Sequence, residues 1–433
     1  MKQFNKEERS WIMYDWANSA FATIMLAAVF PVFFVNMAGG EGTYGSMWWA
    51  RGISLSRVIL GIFAPVIGAL IAYKGIKKRL FVSFIALGIL FHVLLVFQDN
   101  WMWLLVGYIF AYMFWSAGNI IYDSYLPDVT AKDRMDKVSA WGYAMGYIGG
   151  STIPFIFSIF LILFGESDWF PFVVDNITAV RISILITAVW WAVFSIPMIK
   201  NVRHKYEVEA PQYGLMKQAF GNVWITAKKI MKNKGLFLFI IAYFFYIDGV
   251  GTIIGMATAY GAELGLGAEG MIGALFVTQI VAIPCSILFG KLADRVNSIN
   301  IIATAVCIYL AICITAFIMG FGLEEYWFGE DVATIMFWVL ALMVGTVQGG
   351  IQATSRAVYG RLVPPEESGE YFGFFEIFGR FAAIIGPFLY AMVFSITGRP
   401  SFSMFSVIII FIIGLTILLF SKKHLDLRPV KEV

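Results

Sequence analysis

Cysteine is nearly absent from this chain of 433 residues, with only Cys285, Cys307 and Cys313 present. All three fall inside apolar runs and read as small buried hydrophobes, which excludes a disulfide framework or a cysteine-rich metal cluster. Charge is scarce as well. Asp, Glu, Lys and Arg make up 14% of the residues, against about 25% in soluble domains. The formal balance of +3 is too small to point to nucleic acid. No G-x-x-x-x-G-K-[ST] phosphate loop, H-E-x-x-H pair or G-x-S-x-G elbow occurs, so nucleotide-driven, zinc-dependent and serine-hydrolase chemistries find no motif to stand on. The chain is expected to be no enzyme and to need no cofactor or metal.

What the chain has in abundance is apolar sequence, 60% of all residues. A soluble fold could not hide that much, whereas a bilayer asks only for apolar runs of about 20 residues. Twelve such runs can be read, over residues 11–38, 47–72, 80–98, 101–122, 138–164, 178–199, 236–262, 270–290, 299–321, 332–354, 371–396 and 402–420. Lys6, Glu7, Glu8 and Arg9 lead into the first without a small-residue cleavage site, so it is expected to remain in the mature protein.

Charged residues alternate with the runs. Basic clusters follow segments two (Lys74, Lys77, Lys78, Arg79), four (Lys132, Arg134, Lys137) and six (Lys200, Arg203, Lys205), precede segment seven (Lys228, Lys229, Lys232, Lys234) and open the tail (Lys422, Lys423). Opposite loops carry the acids Glu41, Asp99, Glu166, Asp168, Asp175, Glu263, Glu269, Glu324, Glu325, Glu330 and Asp331, with Arg399 the lone basic loop residue. Because Lys and Arg stay on the cytoplasmic face, both termini are expected there, in a bacterial plasma membrane. Trp48, Trp49, Trp101, Trp103, Trp169 and Trp327 stand at the outer segment ends, where indoles favour the headgroup boundary.

The domain reading is a six-segment bundle over 1–199, a linker over 200–235, a second six-segment bundle over 236–420 and a tail over 421–433. Within the linker, residues 214–232 mix Leu215, Met216, Phe220, Val223, Trp224, Ile230 and Met231 with lysines, as in a helix lying in the membrane interface or, alternatively, a solvated connection. The halves echo each other: Gly68-Ala69-Leu70-Ile71-Ala72-Tyr73-Lys74-Gly75 ends segment two and Gly290-Lys291-Leu292-Ala293-Asp294-Arg295 ends segment eight. Likewise Trp141-Gly142-Tyr143 with Pro154 matches Phe372-Gly373-Phe374 with Pro387. Two parallel six-helix halves can rock about a shared central site.

The turn Gly290-x-Leu292-Ala293-Asp294-Arg295 resembles the signature loop of the major facilitator superfamily, with Gly290, Asp294 and Arg295 as its gating residues. The first copy departs from it, carrying Ala72 and Tyr73 at the acidic and basic positions. Four stretches, Tyr14-Asp15-Trp16-Ala17-Asn18-Ser19-Ala20-Phe21, Tyr122-Asp123-Ser124-Tyr125-Leu126-Pro127, Gly142–Gly150 and Gly349-Gly350-Ile351-Gln352-Ala353-Thr354-Ser355-Arg356, resemble the vacuole-effluxer family within that superfamily. The resemblance implies an all-α membrane protein of twelve transmembrane helices in two pseudo-symmetric halves, and efflux or exchange of small solutes, with neutral amino acids as candidates.

Ionisable groups inside the runs are the candidate functional residues, because each costs roughly 2.5–3.5 kcal/mol near mid-membrane unless offset. Asp15, Asn18 and Ser19 share a helical face at i, i+3 and i+4 and can line a polar cavity, where Asp15 is a candidate for substrate binding and proton coupling; its alternative is a helix-entry carboxylate near the positive dipole end. Asp248 lies about 18 Å along segment seven, beside Gly249 and Gly251, and suits proton coupling, a substrate ammonium or a packing hydrogen bond. Glu376 and Arg380, at i, i+4, read most simply as an intrahelical ion pair and otherwise as proton-coupling groups. Arg57 can receive a carboxylate; Asn119, Gln279, Gln348 and Gln352 add hydrogen bonds; Tyr14, Tyr246 and Trp141 wall the site. Together these suit a monomeric secondary transporter of a small polar solute, coupled to a proton or another ion. A receptor or scaffold on the same fold, or a membrane enzyme acting on a lipid-linked substrate, are the competing classes.

Overall fold

The computed structural model describes residues 3–39, 44–167, 173–211, 213–263, 268–319 and 332–425. The outer-loop acids Glu41, Asp168, Glu324, Glu325, Glu330 and Asp331 and the indoles Trp169 and Trp327 lie outside the described residues. Apart from one isolated bridge between Tyr73 and Val208, the described backbone is helical or irregular. That is the expected solution in lipid, where each span must satisfy its own backbone hydrogen bonds.

In chain order the helices are α1 (Lys6–Ala20), α2 (Phe30–Ala38), α3 (Tyr44–Ile71), α4 (Ile76–Leu95), α5 (Trp101–Ser124), α6 (Leu126–Val129), α7 (Met135–Gly146) and α8 (Ile153–Phe164). They continue as α9 (Asn176–Asn201), α10 (Leu215–Lys232), α11 (Lys234–Glu263), α12 (Ala268–Leu292), α13 (Ser298–Met319), α14 (Val332–Leu362), α15 (Ser368–Thr397) and α16 (Pro400–Lys422). Among the described residues, eleven helical stretches are long and apolar enough to span a membrane. The bent pair Lys6–Ala28 and Phe30–Ala38, angled by 41°, makes a twelfth when counted as one span.

Local chemistry fixes the ends. Asn5 caps α1 in a reciprocal box, its side chain accepting the Glu8 N–H at 2.8 Å while Glu8 accepts the Asn5 N–H at 2.9 Å, so two orphan donors of the first turn are satisfied. Asn100 caps α5 through Met102 N–H at 2.9 Å. Gly75, at φ +72°, makes the turn from α3 to α4, a left-handed geometry that a β-carbon disfavours. Among the described residues, two spans carry π-helical turns, Phe21–Ala28 after α1 and Tyr147–Thr152 after α7. Each precedes a proline, Pro31 or Pro154, whose missing N–H loosens the ladder beside it. Pro65, Pro284 and Pro387 sit within continuous helices.

The chain forms two compact units. Unit 1 comprises Met1–Lys132, Met145–Val223 and Val363–Phe374. Its frame is α1 against α9, α4 against α5 and α9, and α3 against α5. The glycines of segment five allow close approach, since a β-carbon on Gly146 would meet Ser19 Oγ at 2.6 Å and one on Gly150 would meet Ser19 Cβ at 2.3 Å. Unit 2 comprises Asp133–Ala144, Trp224–Leu362 and Phe375–Val433. Here α12 packs on α14, α11 on α16, and α13 on both α14 and α16. A β-carbon on Gly249 would strike the Phe411 ring at 2.6 Å, so α11 and α16 also meet through a small residue.

Each unit therefore holds a short segment from the opposite half of the sequence: 133–144 in unit 2 and 363–374 in unit 1. Large apolar side chains such as Ile62, Phe63, Leu90, Phe97, Phe388 and Ile396 remain exposed, as lipid-facing surface requires.

Candidate functional site

In unit 1, Asp15 and Asn18 are buried and Ser19 is half-buried on one face of α1. That face meets segment five: Ser19 lies against Gly146 and Gly150, and Tyr147 is within electrostatic reach of Asp15. Asn18 is held through its backbone carbonyl, which accepts Trp115 Nε1–H at 3.1 Å. Tyr14 is fully buried between the rings of Phe81 and Tyr122, at centroid distances of 5.1 and 4.8 Å, so it belongs to the packed core. Asn119 keeps a buried Oδ1 without a hydrogen-bond partner among the described residues. Arg57 is half-buried on α3, within electrostatic reach of Tyr108.

In unit 2, Asp248 is 1% exposed and its Oδ1 accepts the backbone N–H of Gly386 at 2.8 Å. No cation pairs with it among the described residues. Thr252 donates back to the Asp248 carbonyl at 2.7 Å, and a β-carbon on Gly386 would fall 2.0 Å from Thr252 Oγ1, so α11 and α15 can meet here only through glycine. Tyr246, fully buried two residues earlier, shares a hydrogen bond of 2.7 Å with Ser355. Glu376 and Arg380 form the intrahelical pair that their spacing indicates, with Arg380 Nε donating to Glu376 Oε2 at 2.9 Å.

Gln348 is buried, and its Nε2 has no partner among the described residues; the same holds for Gln279 Oε1. Both line a cavity of about 70 Å³ in unit 2 whose other walls, including Ile253, Leu275 and Phe337, are apolar apart from Thr278 and Tyr260. One unmet donor and one unmet acceptor in an apolar chamber suit a neutral, hydrogen-bonding group or ordered water. Gln352 does not line this chamber; its Nε2 donates to the Gln348 carbonyl at 3.0 Å. Trp141 is half-buried in the 133–144 segment of unit 2. His92 is fully buried with its ring edge-on to Phe21 at 5.3 Å, as a packed histidine would be.

A second group of residues ties the exchanged segments. In unit 2, Arg356 donates from Nε to Ser139 Oγ at 2.9 Å and from a terminal nitrogen to the Ser139 carbonyl at 3.2 Å, with its guanidinium 4.6 Å from the Tyr143 ring centroid. Ser139 in turn donates to the Ala353 carbonyl at 2.8 Å. Asp136 pairs with Arg361 at 2.9 Å and accepts Ser298 Oγ–H at 3.2 Å. Asp294 lies within electrostatic reach of Asp136, and Gly290 permits this approach, since its β-carbon would meet Ala140 at 2.6 Å. Arg295 is exposed.

In unit 1, Asn222 Nδ2 donates to Glu370 Oε1 at 3.1 Å and to Tyr73 Oη at 3.3 Å, while Ser368 donates to the Ser124 carbonyl at 3.1 Å. Gly68 and Gly373 are in backbone contact there. Tyr73 thus occupies the first copy of the signature turn with a hydrogen bond in place of charge.

Sequence reading missed Arg356, Ser139, Asp136, Arg361 and Glu370. Arg356 closes one of the four family-like stretches, and that position was its only signal. Sequence reading also counted Lys77 among the loop cations, whereas it is buried, donating to Asp128 at 2.7 Å and to the Ser124 carbonyl at 3.0 Å.

Among the described residues no group of three or more His, Cys, Asp or Glu side chains could hold a metal. The family described as Vacuole effluxer Atg22 like matches residues 46–425. A Bacillus subtilis protein, the uncharacterized MFS-type transporter YxiO, is 42% identical over 425 residues, covering 97% of this chain and 96% of its own. Autophagy-related protein 22 of Yarrowia lipolytica is 23% identical over 316 residues, covering 65% of this chain, which spans 50% of that fungal protein. Among solved structures, the human organic anion transporter MFSD10 superposes with a TM-score of 0.71 at 13% identity, over 95% of this chain and 99% of that one. The Escherichia coli fucose:proton symporter FucP gives 0.69 at 13% identity, over 97% and 98%. The chain therefore belongs to the Atg22-like vacuole effluxer family of major-facilitator-type membrane transporters.

Proposed function

We propose that the protein carries a small polar solute, with neutral amino acids as the leading class, by alternating access coupled to protons. The observation that carries this reading is Asp248: a carboxyl group 1% exposed in the middle of α11, fixed by one backbone N–H and paired with no cation among the described residues. A lone acid in that setting needs its charge neutralised by a proton or by a cationic group of the cargo, and exchanging one for the other is the elementary step of a coupled carrier. Asp15, Asn18 and Ser19 supply the polar face of unit 1, and the chamber at Gln279 and Gln348 supplies uncharged hydrogen bonding in unit 2.

The exchanged segments support alternating access, because 133–144 is held by residues of α13 and α14, and 363–374 by residues of α3, α5 and α10. Passage on that side requires those bonds to part. The basic loops support a cytoplasmic placement of that side and of both termini, and we read the carrier as a monomer in a bacterial plasma membrane.

Purified protein in liposomes under an imposed pH gradient, offered a panel of radiolabelled neutral amino acids, tests the reading. Gradient-dependent flux of at least one, lost in Asp248→Asn, is expected. No flux of any amino acid in either direction removes the cargo class, and flux indifferent to the gradient removes the coupling.

A further inference from the structure

Helix α10 presents three distinct faces. Ala219, Thr226 and Ile230 are buried on one side, where Asn222 also reaches Tyr73 and Glu370. Met216, Phe220, Trp224 and Met231 follow at spacings of four, four and seven residues, so they form one stripe along the helix, and all four are more than half exposed. Lys217, Lys228 and Lys232 form an adjacent, exposed row at spacings of eleven and four. The 18 residues Leu215–Lys232 contain no Asp or Glu at all. An apolar stripe edged by lysines, without a compensating acid, is complementary to acyl chains capped by negative headgroups. It is poorly matched to a second copy of α10, whose own lysines would repel it.

We propose that α10 docks on an anionic phospholipid leaflet, and that through Asn222 and Glu370 this docking steadies the Val363–Phe374 segment that unit 1 holds. Such docking is independent of the cargo and of its coupling. Each lysine near a negatively charged surface strengthens partitioning roughly fivefold, and the gain is screened by salt within a Debye length.

The full-length protein is placed in nanodiscs of phosphatidylcholine, alone or with about one third phosphatidylglycerol, a composition that gives a clear negative surface potential. Hydrogen–deuterium exchange is then followed over 214–233 and 363–374. The anionic discs should slow exchange several-fold in both segments, and high salt should cancel the difference. The variant K217Q/K228Q/K232Q should lose the response in both, whereas Asn222→Ala should keep it in 214–233 and lose it in 363–374. Equal exchange of 214–233 in neutral and anionic discs overturns the docking; protection that follows the number of copies per disc overturns it in favour of a self-interface. A lipid response in 214–233 with none in 363–374 overturns the link through Asn222. The wild-type salt and lipid dependence stands as a test even where the triple variant does not fold.

Discussion

Asp248 and Gly386 meet across two helices through a single hydrogen bond, carboxylate Oδ1 to backbone N–H at 2.8 Å. Asn at position 248 keeps a carbonyl oxygen for that N–H and removes only the charge and the exchangeable proton. Asp248→Asn should therefore retain the wild-type melting temperature while gradient-driven flux falls to background. Gly386→Ala pushes a methyl to within 2.0 Å of Thr252 Oγ1 and should destabilise by about 1–3 kcal/mol through overpacking. A full gradient response in Asp248→Asn removes this carboxylate from the coupling step.

Arg356 holds Ser139 by two charge-assisted bonds, each worth about 1.5–3 kcal/mol when buried. Lysine cannot reproduce the forked geometry. Arg356→Lys should leave most of unit 2 intact and loosen 133–144, seen as faster amide exchange confined to that segment. Exchange unchanged there would show that the remaining ties, Asp136 to Arg361 and Ser298 and Ser139 to the Ala353 carbonyl, hold the segment without the Arg356 fork.

Lys77 and Asp128 are each 1% exposed and 2.7 Å apart, but their situations differ. Asp128 also accepts the N–H groups of Lys205 at 2.8 Å and Tyr206 at 3.3 Å, so it pins the start of the linker. Lys77 has the Ser124 carbonyl and the Tyr125 ring, 4.2 Å from its ammonium to the centroid. Asp128→Ala leaves a buried ammonium uncompensated and frees the linker, costing about 3–5 kcal/mol and opening a proteolytic site near Lys205. Lys77→Met should cost less and leave the linker resistant. The reverse ranking in chemical denaturation would contradict this division of roles.

These pairs mark the limit of what the sequence disclosed. Hydropathy and loop charge were enough to delimit the spans, since in lipid each span is decided by its own residues. Spacing was enough for Glu376 and Arg380, which are neighbours on one helix, and for placing Asp248 well inside α11. Lys77 with Asp128, 51 positions apart, and Arg356 with Ser139, 217 apart, obey no periodicity. Their partners are set by which helix ends pack together. The π-helical turns before Pro31 and Pro154 were not legible, because a proline states that the ladder loosens and not how the backbone resolves it.

His204, in the linker just after α9, lies with its ring edge toward Tyr125 at 6.3 Å, and burial together with the nearby Lys77 ammonium lowers its pKa from the ordinary 6.5 to about 4. The folded state thus refuses a proton that the unfolded chain accepts. Stability linked to His204 is complete above pH 6.5, declines as pH falls, and is lost by about pH 4. Carboxylates titrate in part of the same window, so the comparison that isolates His204 is a variant that cannot titrate. His204→Gln should show a shallower fall in melting temperature across that window than the wild type. Lys77→Met, which removes the repelling charge, should lie between the two. Parallel pH profiles for wild type and His204→Gln would mean that the imidazole takes its proton as readily in the folded linker as in the unfolded chain.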